Sequence, residues 1–327
     1  MHLDRSAPVL ARSAHGCFNS ALNARSWLTG LMPALADLRD RIARLAEGYS
    51  QPRQIDGMKV FSATQTTVPL GNVTEPVMAL VAQGAKRSVL GGQVFDYAAG
   101  QFLIVTVDLP LTSHITAASA DEPFLAVSLP LDPRTVAQLF LESRLPGRVA
   151  PAGPALSTSD ASPELLDAVV RLLRLADTPD DQRILGPAVK REIHWRLLTG
   201  PQGGLVRQVG LADSRVAHVA RAIAWIKNHY DEVIRIEDLA AEVNLSISSL
   251  NRHFRAATSM SPLQYQKQIR LQRARVRLLV NPVDVAGAGH AVGYASASQF
   301  TREYRRLFGA PPGLDATRLQ SAHLAPE

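Results

Sequence analysis

Cysteine is almost absent from this 327-residue chain; Cys17 stands alone, which excludes an intrachain disulfide and a thiolate metal cluster and makes a reducing, cytoplasmic location the expectation. Long apolar runs are missing too. The strongest, PVMALVAQG and QFLIVTVDLPL, fall short of the roughly 18 uncharged residues a membrane-spanning helix needs, so no membrane partner is expected. Residues 1–31 contain no apolar stretch of the kind a secretory signal uses. Histidine is scarce where metal chemistry in a β-barrel would need it: residues 51–150 hold His114 and no other. An oxygenase barrel requires two or three His and a carboxylate converging on one ion, so neither metal nor cofactor is expected. There is no Gly-x-Ser-x-Gly elbow, and no catalytic residue is assigned.

What is present is unevenly distributed. Residues 1–206 carry 19 basic and 19 acidic side chains, whereas residues 207–327 carry 16 and 10, so the whole net charge of +6 is C-terminal. That asymmetry points to a polyanion as partner of the C-terminal part. Residues 1–33, rich in Arg, Ser and Ala and without periodicity, read as a disordered tail. The ordered pattern begins after Met32, the expected start of translation, with Leu35, Leu38, Ile42 and Leu45 at helical spacing.

Between residues 58 and 130 the texture is of short runs of Val, Leu, Phe and Thr separated by Gly, Pro and Asp. Seven such runs, with Gly91-Gly92 joining two as a hairpin, predict a small antiparallel barrel or sandwich within residues 34–150. Gln83, Lys86, Arg87, Tyr97 and His114 either line a pocket for a small effector or sit at hairpin ends on a solvated face. Asp132 caps a helix opened by Pro133, and a Pro/Gly/Ser/Thr-rich linker, LPGRVAPAGPALSTSD, follows it. Amphipathic helices over 162–177 and 182–198, within a bridging segment 151–210, are candidate dimer faces or pack on the barrel. A monomer and a homodimer are both compatible with this pattern.

From residue 211 onward the pattern is helical. After a helix over 214–230, a short helix 236–243, a turn at Asn244-Leu245 and a helix capped by Ser246 form a helix-turn-helix, with Leu239, Ala240, Leu245, Leu250 and Phe254 facing inward. The outer face of the last helix carries Ser248, Ser249, Asn251, Arg252 and Arg255, groups able to contact bases and phosphates. A second copy follows: a short helix 284–291, a turn at Gly293, a capping box from Ser296 to Gln299 and a helix 297–308 with Phe300 and Tyr304 inward. Between the copies, Ser261 and Pro262 open a helix about 28 Å long. Such a spacer suits two recognition helices in successive major-groove segments about 34 Å apart.

The segments SMSPLQYQKQIRLQRAR and VGYASASQFTREYRRLFGAPP resemble the double helix-turn-helix domain of the AraC/XylS family of transcription regulators. LVAQGAKRSVLGGQVFDYAAGQFLIVTVDLPL and REIHWRLLTGPQGG resemble the cupin-like N-terminal domain of one subgroup. The resemblance covers residues 34–320. It implies an α+β chain: an N-terminal antiparallel cupin-like β-barrel with flanking helices, then an all-α double helix-turn-helix domain over 211–320. It further implies base contacts from Ser248, Asn251 and Arg252 and from Ala297, Ser298, Gln299 and Arg302, and phosphate contacts from Ser249, Arg255, Ser296 and Arg305. The implied partners are double-stranded promoter DNA, RNA polymerase and a small-molecule effector.

Departures from the family pattern are local. Ala295 stands where Glu is usual, Ala297 cannot hydrogen-bond, and Asn244 replaces a turn Gly. Gly287 and Gly289 lie in the scaffold helix of the second unit, each expected to cost about 1 kcal/mol relative to Ala. The second unit is therefore expected to read mainly backbone and shape. Two competing readings are a barrel enzyme with an appended DNA-binding module, which would need a metal at His114, and a DNA-repair methyl acceptor. The second would have to use Cys17, in the tail.

Overall fold

A computed structural model describes residues 32–47, 53–55, 57–143, 153–211, 214–281 and 283–324. The expected tail up to residue 31, Cys17 included, and the first part of the expected linker lie outside the described residues. The N-terminal half is built on two antiparallel sheets. One has six strands in the order β1 (Arg53–Ile55), β2 (Met58–Ala63), β9 (Phe124–Pro130), β4 (Val77–Gln83), β7 (Gln101–Val105) and β10 (Leu156–Asp160). The other has four: β3 (Leu70–Thr74), β8 (Leu109–Ala117), β5 (Ala85–Leu90) and β6 (Gln93–Ala98). The barrel is thus a flattened, cupin-like sandwich whose ladders do not close. Gly91 and Gly92, at φ 55° and 92°, make the two-residue turn between β5 and β6 that only positive φ allows without splaying the strands.

The six-stranded sheet has two apolar faces, which is why its strands read as near-continuous hydrophobic runs. Phe102, Ile104, Met78 and Leu80 point to an outer core, while Leu103, Val105 and Val81 point to the space between the sheets. Five helices cover the outer face: α1 (residues 32–46), α2 (Pro133–Glu142), α3 (Pro163–Arg174), α4 (Pro179–Thr199) and α5 (Gly203–Gly210). Their Leu38, Ile42, Leu166, Val169, Ile193 and Val206 are buried in that core. The apolar faces of α3 and α4, open to two readings in the sequence, pack on the sheet. Exposed Ile184 and Leu185 remain at the N-terminal part of α4. Part of the expected linker, LSTSD, is strand β10: its backbone pairs with β7 from Leu156–Val105 to Asp160–Gln101. Only an edge position offered by a neighbouring strand makes a strand of so polar a segment.

The C-terminal half is helical: α6 (Arg215–Asn228), α7 (Ile236–Glu242), α8 (Ile247–Thr258), α9 (Pro262–Val280), α10 (Val285–His290), α11 (Ala297–Phe308) and α12 (Pro312–Leu324). Helix α9 starts with a full capping box, Ser261 and Gln264 each bonding the other's backbone. Its first turns give Tyr265 and Ile269 to a core shared with Phe254, and its later turns give Leu271, Ala274 and Leu278 to a core with Phe300 and Tyr304. The two halves of the chain are joined at Asp108. Its carbonyl accepts a hydrogen bond from the Tyr265 hydroxyl at 2.9 Å, and its carboxylate pairs with Lys227 of α6.

One buried ion pair secures α12. The Arg275 guanidinium donates to both Asp315 oxygens at 2.7 and 2.9 Å, the Tyr304 hydroxyl donates to the same carboxylate at 2.8 Å, and Arg275 lies 4.4 Å over the Phe308 ring. Asp315→Ala leaves a buried cation unpaired and should destabilise the chain by about 3–5 kcal/mol in urea unfolding, whereas replacing both partners with Arg275→Met and Asp315→Leu should recover most of that loss. A loss for Asp315→Ala alone of under about 1 kcal/mol would show the pair to be idle.

Candidate nucleic-acid interface

The first unit turns at Asn244, which takes φ 55°, the left-handed conformation Asn tolerates best among non-Gly residues. That turn lets Leu245 N–H bond Ala240 O at 3.0 Å and directs the chain into α8. Ser246 caps α8 by accepting from Ser249 N–H. Leu250, Phe254 and Ala257 bury one face, so Ser248, Arg252 and Arg255 stand exposed on the other, with Ser249 and Asn251 half-buried beside them. Asn251 Nδ2 donates to Ile247 O at 3.1 Å, and Arg252 reaches Ser249 Oγ at 3.5 Å. Burial, then the Arg252 and Arg215 charges, push the neighbouring His253 imidazole below its ordinary pKa.

The second unit repeats the plan with different chemistry. Asp284 caps α10, accepting from Gly287 N–H at 2.8 Å, and a Cβ on Gly287 would stand 2.1 Å from that carboxylate. A Cβ on Gly289 would meet the Phe300 ring at 3.0 Å. Both glycines, expected as an exposed-helix cost, are therefore what lets the cap and the ring close on a short helix. Ser296 caps α11 through Gln299 N–H at 3.3 Å, but the expected capping box is only half made. The Gln299 amide instead donates to Glu303 Oε1, because Glu303 lies one turn ahead on the same side of the helix.

Glu303 is a residue the sequence reading missed. Burial alone would raise its pKa, yet hydrogen bonds from Gln299, Tyr294 and Lys267 hold it below the ordinary value. It thereby fixes the Gln299 side chain at the head of the recognition helix. The i,i+4 pairing was readable; the Tyr294 and Lys267 contacts come from other elements and were not. Ala297, Ser298, Arg302 and Arg305, with Thr301, line one shallow surface concavity of α11. Ser296, Gln299, Arg302 and Arg305 are all exposed. Among the described residues no ion pair engages Arg252, Arg255, Arg302 or Arg305. Two exposed helix faces with unneutralised guanidinium groups are what phosphate and base-edge contacts require.

The five candidate effector residues are separated by the strand alternation. Lys86 and Tyr97 face each other across β5 and β6 and line a cavity of about 520 Å³ between the sheets. Arg87 and His114 face the other way, opposite each other on β5 and β8, with Arg87 ion-paired to Asp96 at 2.6 Å. Gln83 spends its amide on Pro123 O at 2.9 Å and is not a lining residue. Arg87, His114 and Gln83 thus lie outside the cavity wall; Arg87 is exposed, while Gln83 and His114 are half-buried. Among the described residues no three His, Cys, Asp or Glu side chains gather as a metal site, and no helix is long and apolar enough to cross a membrane.

Comparison with known proteins agrees with this geometry. Residues 54–205 match the family described as AraC-type transcriptional regulator N-terminus, and residues 239–316 match a helix-turn-helix domain family. An uncharacterized HTH-type transcriptional regulator, YpdC of Escherichia coli, is 22% identical over 296 residues, spanning 88% of this chain and 99% of its own. The transcriptional activator RhaS of Pectobacterium atrosepticum is 29% identical over 94 residues, 29% of this chain and 34% of its own. Among solved structures, unsaturated fatty acid bound ToxT from Vibrio cholerae superposes with a TM-score of 0.53 at 11% identity, covering 83% of this chain and 97% of that one.

Arg252 and Arg305 sit differently on their helices, and their loss should differ accordingly. Arg252 is exposed in the second turn of α8; a bidentate contact from it to guanine O6 and N7 predicts that Arg252→Ala relaxes preference at one or two base positions by about 1–3 kcal/mol. Arg305 is in the last turn of α11; a contact from it to the DNA backbone predicts that Arg305→Ala weakens all sequences alike and lowers the salt slope by about 1. Selections on randomised DNA with both variants check this; an unchanged sequence preference for Arg252→Ala would overturn the assignment.

Proposed function

This chain belongs to the AraC family of transcription regulators, and from that membership we propose that it reads promoter DNA with α8 and α11 together, under the control of a small molecule held between its two sheets. The observation that carries the reading is the pair of capped, outward-facing helices mounted on one helix, α9. In this proposal Ser248, Asn251 and Arg252 of the first unit and Ser298, Gln299 and Arg302 of the second face bases. Ser249, Arg255, Ser296 and Arg305 hold phosphates. Ala297 has no group for hydrogen bonding, so the second unit relies more on backbone and shape.

The sandwich supports the sensing half of the proposal. ToxT, which shares the fold, is recorded with an unsaturated fatty acid bound. In this chain the cavity wall includes Leu111 and Ser113 of β8, the strand that begins beside Asp108 and its contacts to α6 and α9. The buried core is continuous from Leu103 and Val105 on the inner face to Ile223, Phe254 and Tyr265 of the first helix-turn-helix unit. A ligand that shifts β8 therefore acts on the elements that hold α8. Once bound at a promoter, the chain would have RNA polymerase as its further partner, acting as a monomer or a homodimer.

DNA affinity should fall steeply with salt, with a log–log slope of about −0.9 for each phosphate neutralised. Titrations from low to physiological salt check this, and an affinity that does not change would count against the interface.

A further inference from the structure

The inner face of the four-stranded sheet carries a polar set that neither the core nor the DNA surface explains. Strand alternation puts Lys86 and Ser88 on one face of β5, opposite Tyr97 of β6 and Ser113 of β8, and all four line the cavity. Ser88 and Ser113 hydroxyls bond each other at 2.9 Å. The Lys86 ammonium has neither an ion pair nor a hydrogen bond among the described residues, and burial pushes its pKa below the usual lysine value. An ammonium taken partly out of water with no counter-charge is costly, and a ligand that supplies the negative charge removes the cost. The rest of the wall is mainly apolar: Phe61, Val77, Val81, Leu103, Leu111 and Phe124.

We propose that the cavity binds a small monocarboxylic acid with an apolar body, its carboxylate paired with Lys86 and hydrogen-bonded by the Tyr97 hydroxyl. This deepens the sensing half of the function proposed above and rests on it. Burial pushes the Tyr97 phenol up to about 12, so it stays protonated and donates to an anion. The charge count selects a single negative charge. Lys86 is the one half-buried cation of the wall; Lys59 shares the inward face of β2 with Phe61 but is exposed to solvent. A phosphate or dicarboxylate would bring a second charge with no buried partner. A cationic ligand finds only Glu75 among the lining carboxylates, and Glu75 is exposed. The volume, about 520 Å³, lies within the range of small-molecule pockets.

Calorimetric titration of the full chain with decanoate and with phenylacetate, each beside its primary amide, tests this. At least one acid should bind, with its amide about tenfold or more weaker, the loss of one charge-assisted contact. Lys86→Met should reduce the acid to the level of the amide, and Lys86→Arg should retain it. Amides that bind as well as acids, or a Lys86→Met variant that binds acid undiminished, would overturn the ligand class while leaving a sensing cavity in place. Binding of neither acids nor amides, with no change in DNA affinity, would overturn both. Where Lys86→Met does not fold, two measurements on the unsubstituted chain decide: the acid-to-amide ratio, and protection of Lys86 from amine acylation by bound acid, read by mass spectrometry. An acid that binds and leaves Lys86 fully acylated overturns the proposal.

Discussion

Arg270 donates to three backbone carbonyls at once: Tyr230 at 2.6 Å and Glu232 at 2.8 Å, just beyond α6, and Gly293 at 2.9 Å, in the turn of the second unit. Gln266, one turn earlier, donates to the first two of these carbonyls at 2.9 and 2.7 Å. A guanidinium is a rigid planar fork, so three bonds from it fix the relative positions of the segments it touches. Helix α9 is therefore more than a spacer. It carries the core of each helix-turn-helix unit on successive turns and clasps their connecting loops, so α8 and α11 are presented by one body. Everything proposed about DNA recognition depends on that constraint.

A second constraint links this body to the sandwich. Asp108 uses its carbonyl for Tyr265 of α9 and its carboxylate for Lys227 of α6. The residue just before β10 adds a further tie, Ala155 N–H donating to Ala257 O in the last turn of α8 at 2.8 Å. The same β8 and β10 region borders the cavity between the sheets or pairs with its walls. In the function proposed above, these few backbone and ion-pair contacts would couple effector occupancy to the seating of α8, a ligand acting through its differential affinity for the seatings they allow.

Much of this was legible in the residues. The left-handed turn at Asn244, the serine caps before α8, α9 and α11, and the Gly91-Gly92 hairpin follow from local chemistry, and local chemistry is what a sequence displays. Short apolar runs punctuated by Gly, Pro and Asp located the principal strands, and the Phe254 and Phe300/Tyr304 positions located the two cores. The remainder failed for stated reasons. Strand β10 is polar and is made by its neighbour β7. The role of Gly289 depends on an aromatic ring eleven residues ahead. Among the polar residues of the sandwich, the register decided which faced inward: Lys86 and Tyr97 did, Arg87 and His114 did not, and composition cannot supply a register. Glu303 and Asp108 matter through partners on distant elements, which no spacing rule reports.

The claim that α8 and α11 act as one rigid reader is tested most directly by altering the spacing of their targets. A site selected by the full chain would have about five base pairs, half a helical turn, inserted between the segments contacted by the two helices. A clasped pair cannot follow its targets to opposite faces of the duplex, so affinity should fall to that of non-specific DNA or of a single half. Undiminished affinity for the lengthened site would contradict the account.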